Sequence, residues 1–284
     1  MTEIPRERAD LHLHSSCSDG TEPPGEVVRA AHRAGVGVIA LTDHDTTDGW
    51  AEAAAAARET GLTLLPGAEV SAKHAGRSVH VLAYLFDPAD KVLLRLMNRV
   101  REDRIGRAER LVRNIGRDYP LTWDDVLAQR AGDATIGRPH IADALIARGT
   151  VRDREEAFAS ILHPAGGYYV PHYAPEPEEV VRAIGGAGGV SVIAHPAGRG
   201  MMPDSEIARL VDAGLGGFEL AHRENDERGV RHLARVVARR DLIVTGSSDY
   251  HGSGKPNRIG ENTTAPEMVA RIVSAARGSA PVVG

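Results

Sequence analysis

Almost every strand-like apolar run in this chain ends near a histidine or a carboxylate, and that repetition limits the folds open to it. The candidates are His12, His14, Asp19, His44, Glu69, His80, His195, Asp249 and His251. In Asp10-Leu11-His12-Leu13-His14 polar and apolar residues alternate strictly. That is a strand signal, and side chains two apart on a strand point the same way. His12 and His14 therefore reach one ion. The apolar run from Ile243 ends in small residues and offers Asp249 and His251 at the same spacing. Two such pairs near opposite ends of a chain call for a closed sheet with one many-metal site.

The alternation of elements is that of an α/β protein. A strand near 10–14 precedes helix 24–34, strand 36–41, helix 48–60 with Asp48 as its N-cap, and strands 62–66 and 78–86. From about 90 the rhythm breaks into an Arg-rich helical stretch and helices near 122–130, 137–148 and 153–162. It then resumes with helix 176–187, strand 189–194, helix 204–213, strand 216–221, helix 225–240, strand 241–246 and helix 265–277. This is the pattern of parallel βα units, in which ligands gather at the carboxyl ends of strands. A discontinuous catalytic barrel over 1–89 and 166–284 is expected, with an inserted helical substrate-binding subdomain over 90–165. The length of 284 residues and 42 % hydrophobic content suit one such core.

The net charge of −5 argues against a broad grip on duplex DNA, which needs many Lys and Arg contacts to phosphate. Cys17 is the only cysteine, so no intramolecular disulfide forms. Residues 1–10 are charged, and no run approaches the roughly 18–20 apolar residues of a membrane span. A cytoplasmic protein with no membrane partner is the expectation.

Imidazole and carboxylate together suit two or three divalent ions of Mn, Zn or Fe. The carboxylates Asp19, Glu69 and Asp249 leave such a cluster net positive, so it attracts phosphate and lowers the pKa of a bridging water. Phosphoester hydrolysis is the reaction that fits best.

The motifs Asp10-Leu-His-Leu-His14, Ser18-Asp19-Gly20, Thr42-Asp43-His44-Asp45, Gly67-Ala68-Glu69, Val79-His80-Val81, Ala194-His195-Pro196 and Ser248-Asp249-Tyr250-His251-Gly252 occur in this order. In them the chain resembles the polymerase and histidinol phosphatase (PHP) family. The resemblance implies a distorted (β/α)7 barrel with a trinuclear centre at the carboxyl ends of its strands. It implies one ion held by His12, His14, Glu69 and Asp249, with Glu69 bridging to a second that takes His80 and His195, and a third held by Asp19, His44 and His251. Gly137-Arg138-Pro139-His140-Ile141-Ala142 resembles a motif in the helical insertion of the nucleotide-hydrolysing branch.

Arg138 is the candidate phosphate clamp, because guanidinium binds phosphate in a bidentate way. His140 joins it as a substrate contact. His172 stands where relatives often have lysine, so a titratable group replaces a fixed charge. His222, after the strand Phe218-Glu219-Leu220-Ala221, is the candidate proton donor to the leaving oxygen. Lys255 and Arg258 lie in a Gly-rich loop placed to close over the substrate. Asp43 and Asp45 flank His44 and orient it, or Asp45 before Thr46-Thr47-Asp48 caps a turn. His32, His74, His163 and His232 read as surface or packing residues, and Cys17 as a packing residue. Arg99 to Arg117 alternates with Glu102, Asp103 and Glu109, which reads as a solvated, ion-paired face. Gly185 to Gly189 lacks the Lys-Ser or Lys-Thr of a P-loop.

These readings converge on a metal-dependent phosphatase for nucleotides, with 3′,5′-bisphosphonucleotides preferred. The alternatives are a 5′ to 3′ exoribonuclease on short RNA, a histidinol-phosphate phosphatase, and a noncatalytic metal-stabilised module.

Overall fold

A computed structural model describes residues 8–130, 136–171, 173–198 and 200–284. Seven strands form one sheet in chain order: β1 (Ala9–Leu13), β2 (Val38–Leu41), β3 (Thr63–His74), β4 (Arg77–Tyr84), β5 (Val190–Ile193), β6 (Gly217–Ala221) and β7 (Ile243–Gly246). The sheet curls until its edges meet, where His14 N–H donates to the carbonyl of Tyr250 at 2.9 Å and Thr264 N–H to that of Ala9 at 2.8 Å. The result is a nearly closed barrel carrying helices outside. These include α1 (Pro24–Arg33) and α2 (Trp50–Thr60) between the first strands. Gly49, with no side-chain bond, caps α2 in place of the expected Asp48.

The expectation of parallel strands throughout fails at β4, which runs antiparallel to both β3 and β5. The cause is local. Ala75 and Gly76 both lie in the left-handed region, with φ of 47° and 80°, and join His74 to Arg77 in a two-residue hairpin. A parallel return needs a crossover of about a dozen residues. The run 62–66 and Glu69 therefore belong to one long strand, β3, which overruns β2 until Glu69 lies level with His44.

Residues 90–165 contribute α3 (Lys91–Ile115), α4 (Trp123–Leu127), α5 (Arg138–Ala147) and α6 (Arg154–Ala159). Asp90 starts α3 by accepting the N–H groups of Val92 and Leu93. Its first turns place Leu93, Leu96 and Met97 in the core that covers the outside of the barrel. Its later turns place Leu111, Val112 and Ile115 in a separate core with Val126, Ile141, Leu145 and Leu162. One continuous helix is thus shared by both cores. The remaining helices, α7 (Pro177–Gly186), α8 (Asp204–Asp212), α9 (Glu227–Arg240) and α10 (Pro266–Ala275), complete the outer layer. Among the described residues, no helix is long and apolar enough to cross a membrane.

Where β1 meets the chain beyond β7, a side chain supplements the sparse backbone pairing. Asp10 is fully buried and accepts the N–H of Ser248 at 3.0 Å and of Gly260 at 2.8 Å. Burial raises its pKa to about 6 against the pull of those bonds. Removing the acceptor strands two buried donors, each costing about 1–3 kcal/mol. Asp10→Ala is expected to lower unfolding free energy by about 2–4 kcal/mol in urea titrations, and Asp10→Asn by less.

Candidate metal centre

All nine ligand candidates meet at the mouth of the barrel. His12 and His14 rise from β1 with their Nε2 atoms 3.1 Å apart. Glu69 stands between five rings. Its Oε2 lies 3.3, 3.1 and 3.2 Å from His12, His14 and His44, and its Oε1 lies 2.7 and 3.4 Å from His80 and His195. Asp249 Oδ1 lies 3.5, 3.4 and 3.4 Å from His12, His14 and His251, and Asp19 Oδ1 lies 3.1 Å from His251. His80 reaches the mouth because β4 runs backwards. Its strand partner is Ser71, two residues beyond Glu69.

At this mouth, the sets with ligand atoms within 4.8 Å of one another are His12, His14 and Asp249; His44, Glu69 and His80; and His14, Asp19, His44 and His251, and a fourth set, His74, Glu176 and Glu206, lies apart from the nine candidates. His44 thus sits between Glu69 and Asp19. The ligands are nearly all buried, Glu69 at 1 % and Asp249 at 2 % exposure. Among the described residues, His44 Nδ1, Glu69 Oε1 and His251 Nε2 are buried without a hydrogen bond although each lies beside an oppositely charged or polar partner. Lone pairs aimed at shared points instead of at one another are what a group of divalent ions requires, so these residues fit such ions.

The charges respond to this crowding. Burial opposes ionisation of Glu69, Asp19 and Asp249, yet neighbouring imidazoles, and for Asp249 first Lys255, hold all three pKa values well below the usual carboxylate range. Burial pushes His44 far down, and burial with His251 lowers His14. Against its burial, His12 is held high by Glu219, Glu69 and Asp249.

Glu219 was not among the expected site residues, although a lone glutamate inside the apolar strand Gly217–Ala221 is itself a signal, since buried charges need partners. It is fully buried, with Oε1 3.0 Å from His12 Nδ1 and Oε2 accepting the His195 N–H at 2.8 Å. Occupying Nδ1 leaves His12 Nε2 for the cluster. Three residues in this region hold left-handed backbones: Asp45 (φ 54°), His195 (φ 32°) and Asp249 (φ 56°).

Neither expected role of Asp43 and Asp45 holds. Asp43 accepts from Ser15 N–H (2.8 Å), Ser15 Oγ (2.6 Å) and Ser18 Oγ (2.6 Å), tying down the loop that carries Asp19. Asp45 accepts from Ser71 N–H and Oγ, both at 2.8 Å, and pairs with Arg104 at 3.3 Å. Cys17 is half-buried, and burial raises its thiol to about 11.

A cavity of about 690 Å³ opens from the cluster toward the helices of 90–165. Arg138 borders it, donating to the Leu162 carbonyl at 3.4 Å with its guanidinium 5.3 Å from the Phe158 ring. Lys255 also borders it and donates to Asp249 Oδ2 at 2.7 Å. His140 is buried and accepts the Gly137 N–H at 3.1 Å, so it serves the start of α5. Arg258 is exposed and lies off the cavity; its backbone N–H donates to Glu261. His222 is buried beside Asp249, with Nε2 3.7 Å from Oδ2 and its ring centroid 5.3 Å from that of His195. His172 lies outside the described residues. The solvated reading of the Arg-rich stretch is corrected at two positions. Arg104, which also donates to Ser71 Oγ, and Arg107 both line the cavity, because they fall one turn apart on the inner face of α3.

Glu219→Ala is expected to weaken divalent-ion binding about 10–100-fold in chelator competition, with Glu219→Gln retaining part of it. Unchanged affinity in the alanine variant would show that His12 needs no such anchor.

Comparison with known proteins follows the same lines. Residues 10–120 match the PHP domain. The chain is 36 % identical over 276 residues to a 3′,5′-nucleoside bisphosphate phosphatase of Chromobacterium violaceum, covering 93 % of this chain and 94 % of that one. It is 33 % identical over 269 residues to a 5′-3′ exoribonuclease of Haemophilus influenzae, covering 93 % and 97 %. A crystal structure described as a metal-dependent phosphoesterase, from Bifidobacterium adolescentis, superposes with a TM-score of 0.92 at 42 % identity over 97 % of this chain and 98 % of that one. With such agreement over nearly its whole length, the chain belongs to the PHP family of metal-dependent phosphoesterases.

Proposed function

We propose that this protein removes a phosphate from nucleotides, with 3′,5′-bisphosphonucleotides as the preferred substrates. The observation that carries the reading is the joining of the ligand cluster and a guanidinium-lined wall in one cavity, at Arg104, Arg107 and Arg138. Similarity to the bisphosphate phosphatase supports it.

The nine ligands would hold two or three ions of Mn, Zn or Fe, which when bound supply a water of lowered pKa and positive charge for the phosphoryl oxygens. The chain's own residues do the rest. Asp10, Asp43 and Glu219 fix the strands and loops that carry the ligands. Lys255 holds Asp249 at 2.7 Å. Arg138 offers guanidinium donors to a substrate phosphate, and the apolar side chains of Leu111, Phe158 and Ile141 line the cavity and exclude water beside it. Arg154 links the insertion to the loop after β7, binding Asp143 at 2.7 and 2.6 Å and the Gly254 carbonyl at 3.3 Å.

Similarity to the exoribonuclease supports a second reading, the shortening of short RNA from its 5′ end, for which Lys73 and Arg77 at the cavity rim offer further cationic surface. Turnover of adenosine 3′,5′-bisphosphate, 5′-AMP, histidinol phosphate and a short 5′-phosphorylated RNA by the Mn-loaded protein separates these possibilities. The bisphosphate is expected to give the highest kcat/KM; activity on histidinol phosphate alone would overturn the nucleotide reading. Arg138→Ala is expected to raise KM for the bisphosphate on the order of 30-fold, the loss of about 2 kcal/mol for a charge-assisted bond, with metal content unchanged.

A further inference from the structure

Away from the barrel mouth, three ligand-type side chains from separate elements converge on one point. His74 ends β3, Glu176 immediately precedes α7 and Glu206 lies in the first turn of α8, and one ligand atom of each is within 4.8 Å of the others. His74 reads from the sequence as a surface or packing residue, yet its ring faces both carboxylates. Its Nδ1 lies 3.2 Å from Glu176 Oε2 and 3.7 Å from Glu206 Oε1. A single Nδ1–H serves the nearer oxygen, and the second separation is too long for a hydrogen bond.

The two carboxylates are not explained by their own helices. Glu176 occupies the N-cap position of α7 but makes no side-chain bond to that helix and turns to His74 instead. Glu206 is 3 % exposed; Arg209 takes its Oε2, and Oε1 is aimed at the imidazole nitrogen. Burying a carboxylate is costly unless each oxygen is compensated, and a protonated His74 compensates only one of the two facing it. The backbone holds the arrangement in place, because Lys73 N–H donates to the Pro175 carbonyl at 2.8 Å and so sets His74 beside Glu176.

We propose that His74, Glu176 and Glu206 form a further divalent-cation site, separate from the barrel mouth and suited to zinc. Ligand atoms about 2.0–2.1 Å from a tetrahedral ion stand about 3.3–3.4 Å from one another, and the observed 3.2 and 3.7 Å straddle that value. One imidazole and two carboxylates match a zinc donor set, whereas calcium takes about six to eight oxygens. Water completes the fourth position, and the exposed Glu176 leaves a path from solvent. The Arg209 bond to Glu206 orients the ligating carboxylate from behind. Lys73, Gly76, Arg77 and Ser78 of the β3–β4 hairpin border the cavity, while the three ligands do not. An ion there ties the hairpin to the starts of α7 and α8 and braces one cavity wall without meeting substrate, so the site is independent of the nucleotide reading.

Zinc-loaded full-length protein tests this. Diffraction recorded on both sides of the zinc absorption edge is expected to place an anomalous peak about 2.0–2.1 Å from His74 Nδ1 and Glu206 Oε1, distinct from any at the mouth. No peak there overturns the site. After dialysis against micromolar free zinc, elemental analysis is expected to find one zinc fewer per chain in His74→Gln and in Glu176→Gln than in the wild type. Glu176 is exposed, so its variant folds even where that of His74 does not. Unchanged zinc content in either folded variant overturns the site as drawn. A peak seen only in millimolar zinc, without that difference in content, marks an adventitious ion only and overturns it as well.

Discussion

The barrel mouth is organised around one carboxylate. Glu69 meets three imidazoles through one oxygen and two through the other, at 2.7 to 3.4 Å. Those rings come from β1, the β2 loop, β4 and the end of β5, so the residue joins elements far apart in the chain. Burial alone would protonate it; the surrounding imidazoles keep it ionised instead. That position exists only because β3 overruns β2 and turns back on itself at once. A crossover helix after Pro66 would have left Glu69 in a loop and carried His80 to the opposite end of the sheet.

Around this centre, buried carboxylates do what strand ladders do elsewhere in the barrel. Asp10, Asp43, Asp45 and Glu219 each accept at least one backbone N–H from another segment, satisfying donors that the loops cannot pair among themselves. They also hold in place the left-handed backbones of Asp45, His195 and Asp249, each costing about 1–3 kcal/mol. His195 shows the coupling most directly. Its strained backbone is pinned by its N–H bond to Glu219, and the same carboxylate orients the His12 ring. Strain, tautomer and ligand direction are thus set by one side chain.

The convergence of the candidate ligands was legible from spacing, because alternation in β1 and the recurrence of histidines at run ends are properties of single segments. The βα rhythm was legible for the same reason. The antiparallel β4 was not, since its signal is the conformation of Ala75 and Gly76, and Ala75 has no compositional mark of a left-handed residue. The roles of Arg104 and Arg107 were hidden by charge pattern. Alternating Arg, Glu and Asp describes a solvated helix equally well, and only the docking of α3 against the barrel shows which side faces the cavity. His222 is a further case. Its place after a strand predicts a position near the site, but burial beside Asp249 depends on the path of the following turn, where Glu224 N–H donates to His222 Nδ1 at 3.2 Å.

The sharing of α3 between two cores has a consequence for how chemistry and selection are connected. Its early turns are locked to the barrel by Leu93, Leu96 and Met97, and its late turns organise the insertion through Leu111, Val112 and Ile115. Arg104 and Arg107 fall between, where the helix passes the cavity. A continuous helix resists bending there because displacing one turn means breaking the backbone bonds of its neighbours. The distance from ligand cluster to guanidinium wall is therefore set by helix geometry instead of by loop conformation. The loop after β7, which also borders the cavity, is held by Arg154, whose carboxylate partner Asp143 lies on α5. The cavity is thus bordered by α3 and α5 of residues 90–165 and by the loop after β7, over a floor of barrel residues, so under the proposed nucleotide reading the length of a substrate decides whether it fits.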